Sequence, residues 1–415
     1  SRVEDVRAGI VPNSCQRLRE EPKTLWVMKA VVLAAGQGRR LWPLTQKRPK
    51  PMIPVANRPI LEHILEALEA VAVEEVVFVV GANRERVQNY FGNGQHREIN
   101  ISYVVQEHQL GTGHALLQAA SQIGDSFIAL NGDRIIAPAV IKSIWDRHKE
   151  TQTPTVAVTR VEEPSQYGVV TLEGRTVTQL HEQPHPDRTE SDLINAGVYA
   201  FSPDIFAAIR QTDAHGEQAL TDALTTYIQT KRLQAVPYQG RWLDVSEPWD
   251  LLTVNTALID ENEHASVPET TTVDDSAVVA ENAILGDSVV VHPQAAILQN
   301  VTIGDNVTVG PGAILENAIL LGDVTIKRGA VVTDCVVGAN TTVGPNTTIE
   351  GGTTDVVLGD TVYHDVTFGA LIGDNVTMGG NVTITPGTIV GTDATLGSGT
   401  YVSGHIDDGS HIQRG

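Results

Sequence analysis

The chain has 415 residues, a net charge of −21 at neutral pH and a sequence pI near 4.9. That length exceeds one ordinary core, so two domains are the default. So acidic a chain is a poor partner for nucleic acid or for an anionic membrane surface.

Lysine supplies only 8 of the 29 basic residues, against 50 Asp and Glu. An acidic, lysine-poor surface suits a salt-rich cytoplasm, where screening weakens self-repulsion. Cys15 and Cys335 have no metal-ligand spacing and make no disulfide framework, which fits a reducing cytosol. No run reaches the ~18 apolar residues of a membrane span. Residues 1–27 are polar, mixed in charge and without the apolar centre of a signal peptide. Met28 stands just before the first apolar run, so these residues are expected to be an extension outside the fold.

The first predicted strand is Ala30-Val-Val-Leu-Ala-Ala35, a short apolar run of the kind buried in parallel sheets. Gly36-Gln-Gly38 breaks it, and Arg39, Arg40 and Lys50 follow. Glycines let backbone N–H groups approach an anion, and fixed cations neutralise charge spread over phosphoryl oxygens. The stretch is neither a Walker loop nor the dinucleotide fingerprint, whose third Gly is missing.

Three segments carry a family pattern: Leu33-Ala-Ala-Gly-Gln-Gly-Arg-Arg-Leu-Trp-Pro-Leu-Thr45, Pro49-Lys-Pro-Met-Ile-Pro-Val55, and Pro59-Ile-Leu-Glu62-His63. Together they resemble the sugar-1-phosphate nucleotidylyltransferases. The resemblance implies nucleotide contacts at Ala35, Gly36 and Gly38. It also implies that Arg40 and Lys50 act on the phosphates. Arg39 stands where that family more usually has Thr or Ser.

Residues 28–260 alternate apolar runs with helical patterns, which predicts an α/β, Rossmann-like domain on a mostly parallel sheet. Predicted strands are Ala30–Ala35, Glu75–Val80, Ile101–Val105, Phe127–Leu130, Thr155–Arg160, Gly168–Leu172, Gly197–Phe201 and Gln234–Pro237. Predicted helices include Ile60–Ala70 and Gly113–Ala120. Ligands of such sheets sit beyond the C-terminal strand ends.

Gln106-Glu-His-Gln-Leu-Gly-Thr112 is a loop leading into a helix. By resemblance, Gln106, Gly111 and Thr112 contact the nucleotide base. Phe127-Ile-Ala-Leu-Asn-Gly-Asp133 ends a strand in a carboxylate facing the phosphate loop, which suits Mg²⁺. The family pairs that position with a second carboxylate, here Asp244, on one metal. Ser246 stands where Gly is common. On the sugar side the resemblance implies Gly168, Glu182 and Asn195. Gln183 replaces a Lys that contacts the sugar phosphate in the family, so Arg39 or another cation must compensate, or binding is weaker. Gly216-Glu-Gln-Ala-Leu-Thr-Asp222 matches a more structural element.

The implied reaction joins a nucleoside triphosphate to a sugar 1-phosphate and releases pyrophosphate. The attacking phosphate oxygen is already an anion, so positioning and charge neutralisation suffice. Glucose 1-phosphate with dTTP or UTP is the first expectation, N-acetylglucosamine 1-phosphate with UTP the second. A non-catalytic regulatory subunit of this architecture is a further alternative, supported only by Gln183.

Residues 261–415 form a repeat. Apolar residues recur every six positions from Val267 through Leu321, again from Val331 to Ile349, and again from Val366 to Val402. A six-residue period fits neither a helix nor an alternating sheet, but a parallel β-helix whose coils have three short sides. It resembles the left-handed hexapeptide β-helix of acyltransferases and of bifunctional nucleotidylyltransferase–acetyltransferases. The resemblance thus covers nearly the whole chain beyond residue 27. It allows acetyl transfer from acetyl-CoA, with His364 as base in the irregular stretch Gly359–Gly369. It equally allows a domain that only assembles the enzyme, as a trimer.

Overall fold

The computed structural model describes residues 28–81, 83–189, 191–212, 218–261 and 267–414. The expectations for residues 1–27, Cys15, Gly216 and Glu217 lie outside the described residues. β1 (Lys29–Ala34), β2 (Glu75–Val80), β3 (Asn100–Val105) and β4 (Phe127–Asn131) run parallel in the order β3-β2-β1-β4. Val31, Val32 and Leu33 are buried, as a central strand covered on both faces requires.

Chain order continues with β5 (Arg134–Ile136), β6 (Thr155–Arg160), β7 (Gly168–Glu173) and β8 (Thr176–Glu182). Then come β9 (Leu193–Phe201), β10 (Gln234–Pro237) and β11 (Trp242–Asp244). The main sheet extends from β4 through β9-β6-β10-β8-β7. Only β6 and β10 are parallel in that half; the other pairs are antiparallel. The parallel character therefore belongs to the half that carries the phosphate loop. Strand β8 is absent from the predicted set, because exposed polar residues such as Gln179 and His181 dilute its period-2 signal. β9 begins four residues before the predicted Gly197. β5 and β11 form a separate antiparallel pair in which Asp244 lies opposite Arg134.

Helix α1 (Ile60–Glu69) buries Ile60, Ile64 and Leu68, one stripe at helical spacing. Helix α2 (Pro248–Glu261) leads from the sheet domain toward the repeats. No helix among the described residues is long and apolar enough to cross a membrane.

The repeats form a parallel β-helix, consistent with the left-handed type. Thr272 pairs with Val290 and Val290 with Thr308, so one coil takes eighteen residues, three hexads. The corners adopt left-handed backbone, as at Asn300, Asn306, Asn340, Asn346, Asn375 and Asn381. Asn tolerates that conformation because its short amide bonds locally. Leu285, Val291, Ile297, Ile303 and Val309 fill the apolar interior.

The hexad register shifts where longer strands occur. Along Ile314–Leu320 and Val331–Val337, Leu320 and Val332 point into the coil rather than the predicted Leu321 and Val331. Leu321 instead faces outward and joins Ile319, Val336, Leu371 and Ile389 in a buried cluster with α2. Val366 lies in neither row. Residues Thr353–Leu358 and Thr361–Thr367 pair as an antiparallel hairpin projecting from the coil. The stretch expected to be irregular is thus an ordered hairpin.

Asn255 of α2 fastens the two parts together. It is fully buried, and its Oδ1 accepts from Ala56 N at 2.9 Å and from Thr302 Oγ1 at 2.8 Å. Arg48 also meets Asp374 across the interface at 3.5 Å, both nearly buried.

Candidate active site

The loop after β1 lies at the carboxyl edge of the parallel half-sheet, where ligands of α/β sheets bind. Gly38 has φ 62°, and a Cβ there would lie 2.8 Å from Lys50 Cβ. Glycine thus permits both the turn and the approach of Lys50. Thr45 Oγ1 donates to Gly38 O at 2.8 Å and pins the loop. Gly132 lets the β4–β5 turn press on β1, since a Cβ there would come within 2.7 Å of Leu33 O.

Lys50 is held at the end of this loop, and its Nζ lies 2.7 Å from Asp133 Oδ2. Burial opposes ionisation of Asp133, but Lys50 and Arg134 outweigh it and hold the carboxyl below its usual range. Asp244 sits one strand away. Its Oδ1 receives Arg134 Nε at 3.3 Å and its Oδ2 receives Ser246 Oγ at 2.8 Å.

A cavity of about 450 Å³ opens above the loop. Ala35, Gly36, Gly38, Lys50, Gln106, Gly111, Thr112 and Asp133 all line it. On the base side, Gln106 is buried and its Nε2 donates to Gly111 O at 3.1 Å. Gly111 has φ 97°, and a Cβ there would strike Gln218 O at 2.6 Å. Thr112 Oγ1 accepts from Leu220 N at 2.9 Å, so its hydroxyl oxygen also holds the start of the helix Leu220–Ile228.

The two arginines separate. Arg39 lines the cavity, where its Nε donates to Gln37 Oε1 at 2.7 Å. Gln37 in turn donates to Gln109 at 3.0 Å, closing a polar chain across the loop. Arg40 turns away and donates to Glu247 Oε1 at 2.9 Å. The same carboxylate oxygen accepts from Tyr363 of the hairpin at 3.3 Å. Asp250, which receives the N–H groups of Ser246 and Glu247, is pushed up to about 7, chiefly by burial, with the Glu247 charge adding to it.

The sugar-side residues also converge, outside the cavity lining. Glu182 pairs with Gly168 across β7 and β8, and a Cβ at Gly168 would lie 2.9 Å from Glu182 Oε2 and 3.6 Å from Asn195 Cβ. Desolvation raises the Glu182 carboxyl above its usual range, with a Thr221 hydrogen bond opposing. Asn195 is buried, and its amide is used within the protein: Nδ2 donates to Tyr199 Oη at 2.6 Å and Oδ1 accepts from Gly197 N at 3.0 Å. Gln183 is exposed, and its Nε2 donates to Gln166 O at 3.3 Å.

His364 stands apart, on the hairpin, with Nδ1 3.2 Å from Asp355 Oδ2. Among the described residues no group of three His, Cys, Asp or Glu is arranged for a metal. Sequence reasoning does not single out Gln37, Gln109, Arg134, Glu247 or Tyr363. Only Arg134 carries a local signal, its place beside Asp133.

A glycine loop, a lysine–aspartate pair and a base-sized cavity at the carboxyl edge of parallel strands define a protein that handles nucleoside phosphates. Residues 29–261 match the nucleotidyl transferase family model, and residues 279–368 match the GMPPB C-terminal domain. The chain belongs to the nucleotidyl transferase family. The bifunctional protein GlmU of Methanococcus maripaludis strain C7 is 36% identical over 411 residues, spanning 93% of this chain and 97% of that protein. The low-salt glycan biosynthesis nucleotidyltransferase Agl11 of Haloferax volcanii is 33% identical over 265 residues, 62% of this chain and 74% of its own. A UDP-glucose pyrophosphorylase solved with UDP-glucose superposes with a TM-score of 0.52 at 27% identity, covering 57% of this chain and 100% of the other.

Proposed function

We propose that this enzyme transfers a nucleotidyl group from a nucleoside triphosphate to a sugar 1-phosphate. The observation that carries the reading is the Lys50–Asp133 pair facing a glycine loop with open space at Gly36, where a Cβ would meet no protein atom within 4 Å. That space suits phosphate oxygens rather than side chains. Catalysis belongs to the domain of residues 28–260, and the β-helix unit lies within residues 261–415.

An oxygen of the sugar phosphate bonds to the α-phosphorus of the triphosphate. The bond from that phosphorus to the bridging oxygen breaks, and pyrophosphate leaves with the electron pair. No proton need move. Lys50 spans the two reacting phosphates, while the Gly36–Gly38 N–H groups and Arg39 hold the departing one, and Arg40 joins them only once its hydrogen bond to Glu247 opens. Gln106, Gly111 and Thr112 frame the base, and Gly168, Glu182 and Asn195 shape the sugar wall.

Asp133 and Asp244 fit Mg²⁺. One carboxylate in the turn just before β5 and one at the end of the adjacent β11 leave the other positions to phosphate oxygens and water, the donor set that ion takes. When bound, it supplies positive charge to the phosphate oxygens. Glucose 1-phosphate with dTTP or UTP is the favoured pair. The acidic surface supports work in a salt-rich cytoplasm, and the β-helix supports a homotrimer.

A second reading, acetyl transfer from acetyl-CoA, is favoured by the His364–Asp355 contact and by a bifunctional relative whose match spans 93% of this chain. A carboxylate beside an imidazole orients it as a base.

The deciding experiment is pyrophosphate release in high salt with Mg²⁺, over a grid of triphosphates and sugar 1-phosphates, with Asp133→Asn as control. Release that needs both substrates and vanishes in the control is expected. Silence for every pair overturns the reading.

A further inference from the structure

We propose that Arg134 binds the phosphate of the sugar substrate, supplying the positive charge that the sugar wall otherwise lacks. The inference rests on the nucleotidyl-transfer reading and names a residue of that same site.

Arg134 follows Asp133 at the start of β5, and its side chain is only 15% exposed. The guanidinium sits where the carboxylates and the sugar wall meet. Its Nε donates to Asp244 Oδ1 at 3.3 Å and its Nη1 to Asn195 O at 3.2 Å. Nη2 has no hydrogen-bond partner among the described residues, so one face of the guanidinium fork is left to a ligand. The rings of Tyr167 and Trp242 flank it, with centroids 5.7 and 5.3 Å away. Trp242 is itself fixed, since its Nε1 donates to Ala196 O at 2.9 Å. Gly197 makes room: at φ 74° it carries no Cβ, and one there would lie 2.6 Å from Nη1.

This is a built position for a cation. Burial works against the charge of Arg134, while Asp244 and Asp133 restore it. If those two carboxylates turn to a divalent ion, the guanidinium loses its counter-charge and needs another anion. A sugar phosphate arriving between Asp133 and Asn195 is such an anion. Tyr167, Glu182, Gln183 and Asn195 bring no positive charge to this wall. The planar fork suits two phosphate oxygens, which an ammonium group would contact only as a point charge.

The test uses the full chain, glucose 1-phosphate as probe, and three variants: Arg134→Met, Arg134→Lys, and Arg134→Met combined with Gln183→Lys. Calorimetry measures binding of the probe, and initial rates measure KM for each substrate. Arg134→Met is expected to weaken glucose 1-phosphate about ten- to a hundredfold, with the triphosphate KM within about twofold. Arg134→Lys should recover part of the loss. Lysine at 183 should recover part of it too, which a bracing role for Arg134 would not allow. Unchanged affinity for the probe in Arg134→Met, or equal losses for both substrates without rescue by lysine at 183, overturns the inference. If the chain binds the probe through Arg134 yet releases no pyrophosphate with any pair, the inference stands and the reaction assignment falls. If the unaltered chain does not bind the probe, the inference falls.

Discussion

Arg40 donates a 2.9 Å hydrogen bond to Glu247, and that contact holds a phosphate-loop cation away from the cavity it adjoins. Tyr363 of the β-helix hairpin shares the same carboxylate oxygen. Trp249 stacks edge-on against Tyr363 at 5.0 Å and against Phe368 at 6.0 Å, so the hairpin is seated on the catalytic domain. A group in one part of the chain thus touches the machinery of the other through a single carboxylate.

Removing that carboxylate should free Arg40. The arginine side chain is 51% exposed and the glutamate 13%, so screening keeps the pair weak, on the order of 1 kcal/mol or less. Glu247→Gln is therefore expected to lower the triphosphate KM by about two- to fivefold. Combining it with Arg40→Met should abolish the gain, since a double-mutant cycle isolates the shared contact. A raised KM in Glu247→Gln would mean instead that Glu247 aims Arg40 at the substrate.

Lys50 is the cation most deeply set in the cavity wall, with its side chain 12% exposed and its Nζ on Asp133. Lys50→Ala is expected to lower kcat about 100- to 1000-fold, as loss of one preorganised charge donor does. The cost to folding is on the order of 1 kcal/mol, because Asp133 is one-third exposed and water can replace its partner. Stopped-assay turnover beside a thermal melt separates the two effects, and near-normal turnover would remove Lys50 from the mechanism.

Gly36 offers a cleaner probe of the nucleotide position. Its backbone is not in the left-handed region, and a Cβ there would meet no protein atom within 4 Å. Gly36→Ala should thus leave stability within about 0.5 kcal/mol. A methyl group in space used by phosphate should still cost about ten- to a hundredfold in kcat/KM for the triphosphate. Unimpaired kinetics would show that the triphosphate does not pass over this loop.

His63 sets a pH dependence of stability. It is a buried residue of α1, and burial depresses its pKa from 6.5 to about 4, with the Val55 carbonyl contact opposing and Arg58 adding to the drop. Above pH 6.5 the imidazole is neutral in both folded and unfolded chains, and its contribution is complete. As pH falls from 6.5 through 4 the unfolded chain takes up the proton first, so stability is lost across that window. The loss amounts to on the order of 3 kcal/mol. Urea midpoints measured against pH should show that much less change in His63→Gln than in the unaltered chain; parallel curves would contradict it.

The parts of the site that could be read from residues alone are those built locally. Gly36, Gly38 and Lys50 lie within one loop, and their spacing already implies an anion cradle. Gly111 and Thr112 open a helix beside Gln106, again within a few residues. The hexads are legible because each apolar residue repeats its own local environment every coil. Where one side of a coil departs from six residues, as at Leu320 and Val332, the period alone misassigns the inward face.

Arg39 and Arg40 show the limit of local reading. They are adjacent, yet one lines the cavity and the other pairs with a residue 207 positions away. Arg134 likewise takes its meaning from Asn195, 61 positions on, and from Asp244, 110 positions on. Strand, glycine turn and hexad coil follow from backbone preferences and burial periodicity, which neighbouring residues impose, so the sequence determined them unaided. The direction of a long cationic side chain follows from the carboxylates and carbonyls that reach it, and only the packing of the β-helix and the β5–β11 pair against the sheet decided which those are.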